Sequence, residues 1–354
     1  MRKAETCLVT GGAGFIGCAL SAELVARYER VVAFDILHQQ VHDGFGRPAR
    51  LDPGVEIYHA DVADAAAWDR LLADVQPSIL IHLAAETGTG QSLTEGARHA
   101  ATNVLGTCVM FDAFARHKVE PRKVVLASSR AVYGEGAWQA GESLRYPGQR
   151  AFPQLEQCVW DFPGMRSVPS VAGATVPEPV SVYGATKLAQ ENLVKAWCNA
   201  FGVDYTILRF QNVYGPGQSL KNSYTGIINL FCRLARRGEA LPIYEDGEML
   251  RDFVFISDVA DAVLQSLERP VTGPLDVGSG AAISLLQGAR YIVDRYGSPA
   301  PVVTGKFRLG DVRHAACDIA ATMAALAWQP KVHAREGFDR LMSWIDSEEE
   351  GGAA

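Results

Sequence analysis

Tyr183 and Lys187 stand four residues apart in SVYGATK, a spacing that puts both side chains on one face of a helix. A phenol, with an ordinary pKa of about 10, is a poor base at neutral pH, and an ammonium beside it stabilises the phenolate. Such a pair can take the proton of a hydroxyl, and the same ammonium can hydrogen-bond a cofactor ribose. Ser128 and Ser129 in ASSRAVYG end an apolar run, where a serine hydroxyl can hold the reacting oxygen of a substrate. By itself a YxxxK pair is most often a plain helix surface. What gives it weight is TGGAGFIG, which places Gly11, Gly14 and Gly17 between an apolar run and a helical pattern. Gly11 permits a tight turn, Gly14 lets the backbone approach a pyrophosphate, and Gly17 lets the helix pack closely. The helix N-terminus offers free N–H groups to the phosphates. Asp35 closes the next apolar run eighteen residues after Gly17. A carboxylate there accepts hydrogen bonds from ribose hydroxyls and repels a 2′-phosphate. No Arg or Lys occurs at 36–40, so NAD is expected rather than NADP.

These groups need a sheet to carry them, and the apolar runs supply one. Strands are expected at Cys7–Thr10, Arg30–Asp35, Val55–His59, Ser78–Leu83, Lys123–Ala127 and Asp204–Arg209. Helical spacing falls between them, over Phe15–Tyr28, Ala65–Asp74, Glu95–His117 and Tyr183–Phe201. Nearly continuous apolar strands alternating with helices describe a doubly wound α/β fold with a buried parallel sheet. Asp61 and Val62 then follow the third strand, at an adenine edge, and Leu83, Ala84 and Ala85 follow the fourth, at the carboxyl edge of the sheet. His82, inside that strand, reads as a core histidine. After Asn212 the texture changes to Gly- and Pro-rich, as in a smaller α/β domain. The expected division is a dinucleotide-binding domain over 1–212, with 252–268 returning to it, a second domain over 213–346, and a disordered acidic tail at 347–354.

The chain has 354 residues and a net charge of −7, with 48% hydrophobic and 21% charged residues. This is the composition of a globular enzyme, with no basic stripe for nucleic acid. No apolar run is long enough for a membrane span, and the N-terminus reads as a first strand rather than a signal peptide. The seven cysteines form no CxxC pair and read as buried, reduced thiols of a cytoplasmic protein. No metal site is expected.

TGGAGFIG, Asp35, Asp61, LAAET, TNVLGT, SSRAVYG, Tyr183 with Lys187, LRFQNVYGPG and RDFVFISDVADA occur in this order from Leu8 to Asp261. In this the chain resembles the extended short-chain dehydrogenases/reductases, in their sugar-nucleotide epimerase and dehydratase branch. The resemblance implies Ser129, Tyr183 and Lys187 as the catalytic set. For the cofactor it implies Phe15, Ile16, Thr87, Asn103, Ser128 and Phe210 besides the residues above. It sets Thr87, Ser129, Arg130, Tyr183, Asn212, Asn222, Arg251 and Arg308 around a nucleotide-sugar substrate. Arginines suit a diphosphate because a guanidinium pairs bidentately with phosphate oxygens. It also implies a homodimer, paired through Glu95–His117 and Tyr183–Phe201.

Dehydratase relatives carry Asp-Glu after the hydroxyl residue, and decarboxylase relatives carry Glu at the place of Ala131. Here those places are Arg130 and Ala131, which leaves NAD-dependent C4 epimerisation through a transient 4-keto sugar. AAETGTGQS, NVYGPGQSLKNSYTGII and YEDGEMLRDF resemble bacterial dTDP-L-rhamnose 4-epimerases, which implies conversion of dTDP-L-rhamnose to dTDP-6-deoxy-L-talose. A UDP-hexose or UDP-N-acetylhexosamine epimerase, an NADP-dependent 4-keto reductase and a catalytically silent NAD-binding regulator are the alternatives. Tyr133 and Tyr183 are 50 residues apart, far more than in compact relatives, which makes 136–179 an insertion. Its Trp138, Tyr146, Phe152, Trp160 and Phe162 fit a cover over the sugar, a self-packed loop or an oligomer contact.

Overall fold

The computed structural model describes residues 3–42, 44–220 and 226–351. In chain order the first half runs β1 (Lys3–Thr10), α1 (Phe15–Arg27), β2 (Tyr28–Asp35), β3 (Val55–His59), α2 (Ala65–Leu72), β4 (Ile79–His82), α3 (Thr89–Ser92), α4 (Gly96–Ala100), α5 (Gly106–His117) and β5 (Lys123–Ser129). A π-helical stretch, Ala101–Leu105, joins α4 to α5. Then come β6 (Trp138–Ala140), β7 (Ser143–Arg145), α6 (Phe152–Glu156), β8 (Arg166–Ser167), α7 (Val182–Phe201), β9 (Asp204–Phe210) and β10 (Asn212–Tyr214). The last third holds α8 (Ile227–Arg236), β11 (Pro242–Ile243), β12 (Leu250–Phe255), α9 (Ile256–Glu268), β13 (Gly273–Val277), β14 (Ala282–Ser284), α10 (Leu285–Tyr296), β15 (Val302–Val303), β16 (His314–Ala315), α11 (Ala320–Leu326) and α12 (Ala334–Gly351).

Seven strands form one sheet in the order β13-β9-β5-β4-β1-β2-β3, every neighbouring pair parallel. Alternate side chains along a strand face opposite sides. Cys7 and Val9 of β1 therefore pack with α1 and α9, while Leu8 packs with α2, α5 and α7. Both faces are covered, which is why the strands read as unbroken apolar runs. The order reverses between β1 and β4, and ligands of such sheets bind at the carboxyl ends beside that switch.

The smaller domain is a sheet of β10, β12, β14 and β16, packed on α8, α10 and α12 around Tyr214, Phe253 and Phe338. The expected return over 252–268 is shifted. Hydrogen bonding of β12 to β10, β14 and β16 keeps 252–255 in the small sheet. Helix α9 and β13 rejoin the large one, so the return runs over 256–277. The acidic segment at 347–351, expected to be disordered, continues α12, where the Trp344 indole donates to Glu348 at 2.9 Å and the Ser347 hydroxyl to the Trp344 carbonyl at 2.7 Å. All seven thiols are free; Cys7, Cys198, Cys232 and Cys317 are buried, but Cys18 and Cys108 are half-buried and Cys158 is exposed. Cys158 follows α6 in the insertion at φ 55°. No helix among the described residues is long and apolar enough to cross a membrane.

Candidate active site

A cavity of about 840 Å³ lies at the carboxyl ends of β1, β2, β4 and β5 and extends to β12 and Arg308. Its first wall is the glycine turn. Gly11 has φ 66°, and a Cβ there would stand 2.7 Å from the Ala84 amide nitrogen. The turn is glycine because the loop after β4 crosses it, as well as for its backbone angle. Gly17 does not line the cavity; a Cβ on it would lie 2.2 Å from the Gly12 carbonyl oxygen. It closes the turn upon itself, rather than helix upon strand.

Gly14 caps α1 without any side-chain hydrogen bond. The first-turn amides of Phe15 and Ile16, at the cavity wall, therefore keep their donors for an anion. Asp35 is the next group along. One of its oxygens accepts from the Ala13 amide at 3.0 Å and the other from the Leu37 amide at 2.8 Å. A carboxylate has about four lone-pair sites, so the pinned group still has acceptors for two hydroxyls. Arg98 reaches this wall through Gln40, but Glu86 and Glu95 hold it at 3.0 and 2.8 Å. Asp61, Val62, Leu83, Ala84, Ala85 and Thr87 line the rest. Uncapped amides, a fixed acceptor pair and small residues beside them fit NAD, and fit a 2′-phosphate poorly.

The acid–base group is built by two tight approaches. Ser181 caps α7, its hydroxyl accepting from the Gly184 amide at 3.1 Å. A Cβ on Gly184 would stand 2.4 Å from the Ala131 carbonyl oxygen, so the first turn of α7 lies directly on the turn after β5. That contact brings Tyr183 to the cavity wall that Ser129 shares. Burial raises the phenol above its usual range, while Ser129 and the charge of Arg130 pull it back. Lys187, expected to be that charge, is engaged elsewhere. It is buried, donates to Gln190 Oε1 at 2.5 Å, and is brought down to about 7 by burial, against the pull of Glu191. Arg130 is the cation acting on Tyr183, itself lowered to about 10 by burial and by Arg251.

Lys187 donates, so Gln190 turns its Nε2 to His82 Nε2 (2.8 Å) and Thr107 Oγ1 (2.9 Å). His82 Nε2 is then an acceptor. Its proton sits on Nδ1, facing Thr10 Oγ1 at 2.6 Å, and burial holds its pKa down at about 3. His82 is thus a core histidine, but one that ends a hydrogen-bonded chain from Lys187.

The far end of the cavity holds Arg130, Asn212, Arg251 and Arg308. Arg251 donates to the carbonyls of Leu250 (2.7 Å), Val312 (2.8 Å) and Arg313 (3.2 Å). The Arg308 guanidinium lies 4.9 Å from the centre of the Tyr244 ring. Asn212 Oδ1 is buried without a partner among the described residues, and so is Gln211 Oε1. Gln211 is 5% exposed and lines the cavity, a residue that its motif, LRFQNVYG, did not single out. Its only signal was an amide beside an apolar strand end.

Three expected cofactor residues serve as braces. Asn103 spends its amide on Glu86 O and Thr186 Oγ1, each at 3.0 Å, and accepts from the Glu86 amide at 2.8 Å. Ser128 donates to Glu191 at 2.5 Å, which in turn binds Arg209 at 2.7 Å. Phe210 is buried in the core, opposite Ser129 in the β5·β9 register. None of the three lines the cavity. Asn222 lies outside the described residues. Nor do the insertion aromatics line it. Trp138 packs on Phe162 and His314, and Phe152 and Trp160 on Phe307.

The sequence pattern of the NAD dependent epimerase/dehydratase family matches residues 7–152 and 163–278. The chain belongs to this family. Among its relatives, a dTDP-L-rhamnose 4-epimerase of Burkholderia thailandensis is 56% identical over 344 residues, 96% of this chain and 95% of that one. A UDP-glucose 4-epimerase of Thermotoga maritima, solved with UDP-glucose, superposes with a TM-score of 0.81 at 27% identity over 97% of this chain and 99% of that one. The UDP-glucose 4-epimerase of Thermus thermophilus, solved in complex with NAD, gives 0.76 at 25% identity over 96% and 99%. As a family member with the cofactor wall intact, the chain binds NAD. The family match leaves out 153–162, the part of the insertion that holds Trp160 and Asp161.

Proposed function

We propose that this protein inverts C4 of a nucleotide-linked hexose, interconverting dTDP-L-rhamnose and dTDP-6-deoxy-L-talose. The observation that carries the reading is Tyr183, lining one cavity with Ser129 and Arg130 between the Asp35 wall and Arg251 with Arg308. The amides of Phe15 and Ile16 take the cofactor diphosphate, Asp35 the adenosine ribose, and Asp61 with Val62 the adenine. NAD held by these residues would supply a reversible hydride acceptor, the redox chemistry that a net-neutral inversion needs. Tyr183 removes the proton of the C4 hydroxyl and later returns it. Ser129 holds the C4 oxygen. Arg130 and Ala131 carry no carboxylate where an elimination would require one. The arginines at the far end anchor the diphosphate while the sugar turns about its linkage.

The choice of sugar is supported by the Burkholderia relative. A UDP-hexose is the second reading, favoured by the Thermotoga superposition. Incubation with dTDP-L-rhamnose, UDP-glucose and UDP-N-acetylglucosamine, with C4 configuration followed by NMR, decides between them. No epimer from the dTDP sugar ends the first reading. The homodimer is proposed on the exposed Leu105, Val182 and Phe201, which lie along the helical stretches that the family resemblance implies as the pairing surface; light scattering on the purified protein tests it.

A further inference from the structure

The segment between Tyr133 and Tyr183 sends one arginine into the protein's interior. Arg150 is buried, as are Glu135, Glu245 and Arg313. Arg150 donates to Glu135 at 2.8 Å, to Glu245 at 2.9 Å, to the Trp160 carbonyl at 3.2 Å and to the Asp311 carbonyl at 3.0 Å. Glu135 uses its second oxygen on the Arg313 amide at 2.8 Å. The Arg313 side chain goes to Glu245 (3.1 Å), Asp246 (2.6 Å) and Asp161 (2.9 Å). Both buried cations thus meet at Glu245, and Glu135 ties the Arg150 side chain to the Arg313 backbone. Glu135 follows the Ser129–Arg130 turn, while Glu245 follows Tyr244 and has φ 51°. A non-glycine residue in that conformation stays there only where its surroundings over-determine it.

This cluster touches every element that presents a guanidinium to the far end of the cavity. Arg251 is held by the carbonyls of Val312 and Arg313, in the segment before β16 that Glu135 and Arg150 anchor. Arg308 lies between Phe307, packed on Phe152 at 5.7 Å and Trp160 at 6.3 Å, and the Arg150-bound Asp311. An enclosed ion cluster does not stabilise a fold in proportion to its contacts, because desolvation offsets most of the attraction. It does fix geometry, and small displacements of a binding group are costly to its ligand. We propose that Arg150 is a positioning residue for the nucleotide: through Asp311 and Glu245 it ties the insertion to 307–313 and holds Arg308 and Arg251 on the diphosphate. The inference rests on the reading that this end of the cavity takes a nucleoside diphosphate.

The test titrates dTDP and UDP into the NAD-loaded, full-length protein and measures KM and kcat with the sugar nucleotide that it epimerises. Arg150→Lys keeps the charge but has too few donors for four acceptors. Phe152→Ala with Trp160→Ala leaves the ion cluster intact and removes partly exposed rings, so it reports even where Arg150→Lys fails to fold. Both are expected to raise the Kd for the nucleotide and the KM by about fivefold or more, with kcat within about twofold and bound NAD unchanged, the pattern of lost uniform binding. Unaltered nucleotide affinity in the folded variants, or lost kcat at unaltered affinity, overturns the inference alone. A wild-type protein that binds neither nucleotide overturns the functional reading, and this inference with it.

Discussion

Lys187 and Gln190 share one turn of α7, with the ammonium donating to the amide oxygen at 2.5 Å. The partner sets the charge of Lys187 as much as its place. A buried ammonium sheds its proton easily, and an acceptor on the charged form opposes that. Gln190, 0% exposed, is this acceptor, and its other end is committed to His82 and Thr107. It cannot turn away without leaving a buried donor unpaired.

Gln190→Leu is therefore expected to carry Lys187 below its value of about 7. If the Lys187 ammonium hydrogen-bonds the cofactor ribose, the role its sequence position suggests, the alkaline limb of the kcat profile moves to lower pH by about one unit. Gln190→Glu moves it the other way. Rate against pH for the two variants checks this, and coincident limbs would show that Lys187 acts without Gln190.

Gly184 lies on the Ala131 carbonyl, and a Cβ there needs space that a backbone oxygen occupies at 2.4 Å. Gly184→Ala must push α7 away from the turn after β5, parting Tyr183 from Ser129. A displacement near 1 Å at a reacting group costs about a hundredfold, so kcat should fall by about that factor. Bound NAD, read from its absorbance, should remain, because the Asp35 wall lies on other elements. A variant with normal kcat would mean that the contact is slack.

The glycine turn, Asp35 and the Tyr-Lys spacing were legible because each is local: a turn, a strand end, one helical face. The six expected strands were legible because burial on both faces leaves unbroken apolar runs. The seventh, β13, was missed; GPLDV is short and sits among Gly and Pro. Arg130 beside Tyr183 was illegible as the phenol's cation, since a helix pattern points to Lys187 and says nothing of a residue across the turn. Asn103 and Ser128 look alike in sequence whether they face a cofactor or a helix. The Arg150 cluster joins 135, 150, 245 and 313, and no spacing rule connects positions so far apart.

Gln211 carries a prediction of two signs. Its Oε1 is buried with no partner among the described residues, and such a group costs about 1–3 kcal/mol when left unpaired. Gln211→Leu should therefore raise the melting temperature of the ligand-free protein. The same change removes a polar group that lines the cavity, and with the sugar bound against it KM should rise by about tenfold, the net worth of one neutral hydrogen bond. Calorimetry and steady-state kinetics on one preparation check both. A variant less stable than wild type would mean that the amide is already satisfied.

The last prediction concerns acid stability. His82 is held at about 3 in the folded protein, against an ordinary value of about 6.5. Between these the unfolded chain binds a proton that the folded chain refuses, so this term is fully present above the upper value and is lost as pH falls. Asp276 works in the opposite direction. Burial raises it to about 7, against the pull of the Tyr133 hydroxyl, so the folded chain binds the extra proton and gains stability as pH falls through the same window. The wild-type profile mixes the two, and the difference between variants separates them. His82→Gln should destabilise at pH 7 by breaking the bonds to Thr10 and Gln190. That deficit should shrink by about 2 kcal/mol on going to pH 5, as wild type loses the His82 term and the variant has none to lose. Asp276→Asn should gain on wild type as pH rises to 7. Urea unfolding at both pH values gives the two differences. A His82→Gln deficit that is constant with pH would mean that the imidazole is protonated in the fold, and that Gln190 Nε2 does not donate to it.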